Sequence, residues 1–258
     1  MHIRPVHAET NIPVLQDFIR SHPLGLLTTG LKNPLYPFLQ SSHIPFIIDD
    51  ADGGKTPGVL RGHMARQNPQ AKALIDAVAA QHAETGSSTG AVELPDEVLV
   101  LFTAPESHYV TAKFFTETKP DTGKVVPTWN YAAVQAYGRI TVYCDAKAEE
   151  TAGFLQGAIE DLSEHCETRI MGYGGEGCPT WKVSDAPERY IELMKKAIIG
   201  FEIRVERLEG RFKMSQESTV GDREGIIRGF ERLGTDVAKG VAGLVRERAE
   251  IKERAKQG

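Results

Sequence analysis

One stretch limits what this chain can fold into more than any other. Residues 128–143 read Thr-Trp-Asn-Tyr-Ala-Ala-Val-Gln-Ala-Tyr-Gly-Arg-Ile-Thr-Val-Tyr. They are mostly β-branched, aromatic or small, and Gly138 is the one breaker among them. Pro127 stands just ahead, and proline in a sheet is confined to edges and strand starts. The run is long for one strand. It suits a barrel strand that bends at its glycine. Neighbours on a strand point to opposite faces, so Thr128 and Asn130 share one face and Trp129 takes the other. Two readings of this head stand side by side. Trp129 is core and Asn130 closes a turn, or Thr128, Trp129 and Asn130 wall a ligand site.

The rest of the chain follows that lead. A helix is expected over residues 10–22, capped by Thr10 or Asn11 with Pro13 in its first turn. Strands follow at 24–29, 39–48 and 58–64, with a proline loop at 30–37 and a turn cluster at 49–54. Asn68 and Pro69 then open a helix on which Ala71, Leu74, Ile75, Val78 and Ala79 recur at helical spacing. Residues 82–94, containing Gly86-Ser87-Ser88-Thr89-Gly90, read as a polar loop. Residues 98–103 read as a buried strand, 108–111 as a short strand and 116–126 as a loop. A helix is expected over 146–167 and a glycine loop over 171–179. Asp185-Ala186-Pro187-Glu188 has the spacing of a capping box for a helix that runs to Lys196. Ile199, Phe201, Ile203 and Val205 alternate with charged residues on a last strand over 198–208. A charged helical tail is expected from Asp222 to Lys256.

Strands come first and helices enter late, which is not the alternation of a doubly wound sheet. The expected class is α+β: a small β-barrel with added helices packed outside, which also removes exposed sheet edges. The division expected is a barrel core at 1–145, a helical insertion at 146–197, a last strand and closing loop at 198–217 and a helical tail at 218–258, all in one structural domain.

Composition narrows the function. The 258 residues carry a net charge of −5, which argues against a strong phosphate-gripping DNA surface. No apolar run approaches a membrane span, and Met1-His2-Ile3-Arg4-Pro5 leads into no secretory core. The expected location is cytosolic or nuclear. The three cysteines, Cys144, Cys166 and Cys178, form no Cys-x-x-Cys pattern. No histidines pair at metal spacing, so no metal is expected. No nucleophile elbow or Cys/His pairing is present, and the catalytic residue is left unassigned.

The segment Gly62-His63-Met64-Ala65-Arg66-Gln67-Asn68-Pro69 is the strongest physical candidate for a site. A helix N-terminus favours an anion, and Arg66 just ahead of it can fork two hydrogen bonds onto a phosphate. His63 and Asn68 add donors. An ordinary capped helix with a solvated arginine fits these residues equally well. His43 and the Lys213-Met214-Ser215-Gln216-Glu217 segment are further polar groups near strand ends. On their own they read as a structural histidine and a surface loop.

Taken together, residues 62–69, Pro127–Val134, Trp181-Lys182-Val183-Ser184-Asp185-Ala186-Pro187, Ile199–Ile203 and Lys213–Gln216 resemble the PaiB family. So do His22–Thr29 and Ser42-His43-Ile44-Pro45-Phe46. The resemblance runs through nearly the whole chain in order. The longer segments at 30–39 and 83–95 look like the family's fungal branch. Members are described as FMN-binding negative transcriptional regulators with a split-barrel fold. The resemblance implies a six-stranded FMN-binding split barrel and a homodimer with flavin at the subunit interface. It makes the Arg66 junction, with His63 and Asn68, the phosphate candidate. Thr128, Trp129 and Asn130 become candidate walls of the ring or ribityl site, with His43, Lys213 and Gln216 behind them. Two alternatives stay open: a regulator acting through protein or DNA partners without flavin chemistry, and a haem-binding or haem-degrading barrel. Thr111-Ala112-Lys113-Phe114-Phe115 departs from the Ser-Pro-Ser-Trp-Tyr type segment of bacterial members.

Overall fold

The computed structural model describes residues 1–50, 52–86 and 90–257. In chain order its elements are β1 (Ala8–Glu9), α1 (Ile12–Ser21), β2 (Leu24–Gly30), β3 (Leu39–Pro45), β4 (Ile47–Asp49) and β5 (Val59–Ala65). Next come α2 (Pro69–Thr85), β6 (Val92–Thr103), β7 (His108–Val110), α3 (Thr118–Thr122) and β8 (Thr128–Tyr143). The chain ends with α4 (Glu149–His165), α5 (Glu188–Lys196), β9 (Ile198–Lys213), α6 (Val220–Leu233) and α7 (Asp236–Gln257). The α+β class holds. Among the described residues the sheet has nine strands, ordered β3-β2-β6-β8-β9-β5-β4, with β1 on β9 and β7 on β8. The expected closed barrel of six strands is an open sheet: among those residues its path runs from β3 to β4 without closing, so sheet edges remain. β1, β4 and β7 are short additions of two or three residues.

The chain forms two compact units. Residues 11–102 and 135–208 make the larger one. Its strands pair antiparallel where their register is defined, from Leu24↔Pro45 to Gly30↔Leu39 in β2–β3 and from Val59↔Arg204 to Ala65↔Ile198 in β5–β9. Alternation explains the packing. Gly25, Leu27 and Thr29 of β2 turn inward, as do Leu60, Gly62 and Met64 of β5. Phe46 meets Phe102 and Phe201 edge-on, at ring distances of 5.8 and 5.9 Å, a favoured aromatic geometry. Gly138 serves close approach: a Cβ there would lie 2.2 Å from the Arg204 carbonyl oxygen.

Residues 1–10, 103–134 and 209–258 make the smaller unit. Its core is helical. Ile226 and Phe230 of α6 are buried, as are Ala238, Val241, Ala242 and Val245 of α7. Phe230 lies edge-on to Phe114 and to His108, each at 5.3 Å. β8 and β9 are long enough to supply residues to both units.

Several elements depart from the sequence expectation for local reasons. The strand expected over 39–48 is two strands. Pro45 has no N–H, and at Phe46 the N–H turns aside to the Pro23 carbonyl oxygen at 2.9 Å. The loop expected at 116–126 holds a turn of helix, α3, ended by Gly123 in the left-handed region. β6 begins at Val92 and β9 continues to Lys213, beyond the runs expected for them. Asp185 does not cap α5. It accepts the Lys182 N–H at 2.9 Å and closes a separate short turn, so α5 starts at Glu188 with Pro187 in the cap position and no side-chain cap. The helix expected over 146–167 is α4 followed by a wider turn at Cys166–Ile170. The single tail helix is two, because Gly234 ends α6 at a φ of 74°. Of the polar loop expected at 82–94, the first residues belong to α2, and 87–89 lie outside the described residues, as does Ala51 of the expected 49–54 turn.

Candidate functional site

In the smaller unit, the head of β8 and the end of β9 build a polar cluster. β7 fixes the β8 head by pairing Val110↔Thr128 and His108↔Asn130. The strand alternation then divides three neighbouring residues. Asn130 is wholly buried, while Trp129 is 56% exposed and not core. Lys213 ends β9, and its Nζ donates to Thr128 Oγ1 and to the Trp129 carbonyl oxygen at 2.8 Å.

The loop after Lys213 is held from three sides. Ser215 has a φ of 58°, the left-handed region that a side chain adopts only when its surroundings hold it there. Its Oγ donates to Asn130 Oδ1 at 3.1 Å. Gln216 accepts the Met214 N–H at 2.7 Å and donates to the Phe212 carbonyl oxygen, so its amide staples its own loop. Both ends of that side chain are thereby used within the protein. Lys252 of α7 donates to the Gln216 carbonyl oxygen. Glu217, one residue on, takes a hydrogen bond from the buried His7 at 2.9 Å. Two buried polar atoms here have no protein partner, Asn130 Nδ2 and His7 Nδ1.

Of these residues Thr128, Lys213, Ser215 and Glu217 border a cavity of about 380 Å³, which Arg4, Lys124, Ser218 and Thr219 also line, while Asn130, Trp129 and Gln216 do not. Three cations and several hydroxyls face two carboxylates, Glu217 and Asp222. Burial lowers the Lys213 pKa, Arg211 and Arg4 push the same way, and Glu217 opposes them. Burial alone would raise Glu217, but the His7 hydrogen bond, a backbone N–H and the positive charge nearby hold it below its ordinary value. Asp222 is likewise held low against burial, by hydrogen bonds with the Glu117 and Thr118 N–H groups at 2.8 and 3.1 Å and with the Thr118 and Thr219 side chains. Its charge is already satisfied by donors, which leaves the cavity with Arg4, Lys124 and the remaining N–H of Lys213. Such a set suits an anionic, hydroxyl-rich ligand.

The remaining sequence candidates lie in the larger unit. Arg66 NH2 donates to the carbonyl oxygens of Cys144 at 2.8 Å and Ile198 at 3.3 Å. Part of its fork is therefore spent on backbone at the end of β8 and the start of β9. Asn68 is the α2 N-cap: its Oδ1 takes the Gln70 N–H at 2.8 Å, and its Nδ2 donates to Ser42 Oγ at 2.9 Å. That bond ties the helix start to β3, where His43 stands exposed. Burial lowers the His63 pKa, and its Nδ1 is buried without a partner. Thr128, Trp129, Asn130, Lys213 and Gln216 are thus brought together. His63 on β5 and Arg66 and Asn68 at the α2 start lie close in the chain, and the Asn68–Ser42 bond reaches β3, the strand of His43.

Sequence reasoning missed Arg4, His7, Lys124 and Asp222, and it named Glu217 only as part of the polar segment after the last strand. His7 lies 210 positions from its Glu217 partner, and no local spacing could announce that pairing.

Fold and site together define an α+β protein with a cation- and hydroxyl-lined cavity beside the ends of two long strands. The chain belongs to the family described as "Putative FMN-binding domain", whose model matches residues 1–207. An uncharacterized protein of Aspergillus fumigatus is 62% identical to it, over 98% of this chain and 100% of the relative. The protease synthase and sporulation protein PAI 2 of Bacillus subtilis is 24% identical, over 96% of this chain and 98% of its own. The PaiB resemblance therefore holds along the chain. A solved structure of a conserved hypothetical protein from Mycobacterium tuberculosis aligns over 85% of this chain and 94% of its own, at TM-score 0.45 and 12% identity. Among the described residues, no helix is long and apolar enough to cross a membrane.

Proposed function

We propose that this chain binds FMN, and that the cavity bordered by Lys213 and Thr128 takes the phosphate and ribityl end of it. The observation that carries this is the Lys213 cluster: a half-buried ammonium on Thr128 Oγ1 and the Trp129 carbonyl oxygen, with Arg4 and Lys124 lining the same cavity. Family membership supplies the cofactor class. The residues present fit it. Cations would meet the phosphate, hydroxyls of Thr128, Ser218 and Thr219 would meet the ribityl chain, and Val125, Val126 and Phe115 give apolar wall. Bound flavin would supply electron or hydride exchange at its ring, in a redox or a regulatory role. The chain's part is to bind and orient it. Val126 at the cavity, with Trp129 and Tyr109 nearby on paired strands, exposes apolar surface that a second copy in a homodimer would cover.

The purified protein is mixed with FMN and its visible spectrum and flavin fluorescence are recorded. Saturable uptake is expected. Lys213→Ala should weaken binding by roughly 1.5–3 kcal/mol, the size of a hydrogen bond to a charged group. A wild-type protein that takes up no flavin overturns the proposal. A Soret band on adding haem, lost in His63→Ala, would favour the haem reading in its place. Arg66→Ala separates the two groups of residues: if it abolishes uptake while Lys213→Ala leaves it unchanged, the phosphate lies at the α2 start.

A further inference from the structure

Helix α5 is built with its apolar stripe on the wrong side for a core helix. Tyr190, Leu193 and Met194 fall at i, i+3 and i+4, the spacing of one helix face. All three are exposed, at 54, 53 and 44%. No residue of α5 is buried. The side turned to the larger unit carries Ile191 and Lys195, and Lys195 bonds there to Gln156 of α4 at 2.9 Å and pairs with Glu192. An amphipathic helix normally buries its stripe against its own chain. Here the stripe is presented outward, as in segments that dock into another protein's groove.

The rim states what would cover it. Arg189 and Lys196 flank the stripe on one edge, and neither has an ion pair among the described residues. Two-fold antiparallel pairing of α5 with its copy, centred between positions 192 and 193 at the middle of the stripe, would set Arg189 against Lys196 of the other copy. Like charges then face each other, so self-association is disfavoured. The nine residues of the helix carry one three-residue stripe, a small area for holding a lipid surface. We infer that α5 is a docking face for an amphipathic protein segment whose apolar stripe is edged by carboxylates. This does not rest on the flavin reading, since α5 lies in the larger unit and borders no part of the Lys213 cavity.

The test uses the full chain and a fluorescein-labelled helical peptide with leucines at i, i+3, i+4 and i+7 and glutamates along the edges. A second peptide has lysines at the glutamate positions. Anisotropy is recorded at low and high salt. The glutamate peptide should bind saturably, and more weakly as salt rises. Arg189→Glu/Lys196→Glu should lose at least tenfold affinity for it and gain affinity for the lysine peptide. Leu193→Ser should weaken both. All these residues are exposed, and circular dichroism confirms that the variants fold. Equal binding of both peptides, no saturable binding at low salt, or no reversal in the charge-swapped variant overturns the inference. So does flotation with anionic phosphatidylserine vesicles without peptide binding, or a concentration-dependent dimer that Leu193→Ser abolishes.

Discussion

Asn130 and Ser215 show how a single residue can look like a ligand contact in sequence and be a loop support in space. Asn130 is wholly buried and spends its carbonyl on the Ser215 hydroxyl. It acts on the cavity through the loop that it holds in an unusual backbone region. Gln216 is a second case, because both ends of its amide return to Phe212 and Met214. Gly138 carries the clearest prediction at this scale. The sequence expectation made it the bend of a long strand; its close approach to β9 has no local signal. A methyl group there would meet backbone, the Arg204 carbonyl oxygen at 2.2 Å and its carbon at 2.9 Å, and backbone cannot rotate away as a side chain can. Gly138→Ala should destabilise by about 3 kcal/mol or more, at the upper end of overpacking costs. Urea unfolding followed by circular dichroism measures it, and a loss under about 1 kcal/mol would show that the β8 and β9 backbones separate easily.

Elements were legible where the signal is local. The α2 start, Asn68 followed by Pro69, needs only two adjacent residues, and Asn68 does cap it. The long β8 run and the alternation of β9 were read for the same reason. Endpoints failed where a distant group decided them. Phe46 turns its N–H to Pro23 and splits a strand, and Asp185 serves a turn ahead of the helix that its spacing suggested. The site divides the same way. Lys213 and Thr128 each stand out as motif residues, but their hydrogen bond joins positions 85 apart. Asn68 allows the cap to be weighed. Asn68→Ala removes the acceptor for the Gln70 N–H and the donor to Ser42. It should cost about 1 kcal/mol, a fall in Tm of roughly 2–4 °C for a chain of this size. Asn68→Asp keeps the cap acceptor, and the Ser42 hydroxyl can donate to it, so most of that loss should be recovered. Thermal melts of the two variants decide it: equal Tm values would show that the cap bond contributes nothing.

At the scale of the whole molecule the titrating groups are unevenly placed. Glu217 and Asp222, both in the smaller unit, have pKa values held below the ordinary carboxylate range. A carboxylate lowered on folding binds fewer protons folded than unfolded. Its contribution is present above the ordinary value and is lost as pH falls through the lowered one. Lys213 has the opposite charge but the same sign of slope. Its depressed pKa means that the unfolded chain holds the proton more tightly, so stability is gained as pH rises from the folded value toward about 10.4. Among the described residues of the larger unit the carboxylate held low is Asp52, in a half-exposed turn at the surface, where solvent screens its effect. His63 of the larger unit, lowered by burial, also costs the folded state stability as pH falls below about 6.5, but it stands on β5 and not on α2. Acid should therefore loosen the anchors of the smaller unit before α2. Two carboxylates anchor that unit: Asp222 ties the Glu117 and Thr118 N–H groups to the start of α6, and Glu217 ties His7 to the loop after β9. Hydrogen exchange between pH 7 and about 3.5, corrected for intrinsic rates, should show residues 117–122 and 219–226 losing protection at a higher pH than residues 69–85 of α2. Asp222→Asn keeps an acceptor but no titrating charge, so it should weaken those peptides at pH 7 and flatten their pH dependence. If α2 opens first, or the Asp222→Asn profile is as steep as the wild type, the acid sensitivity resides elsewhere.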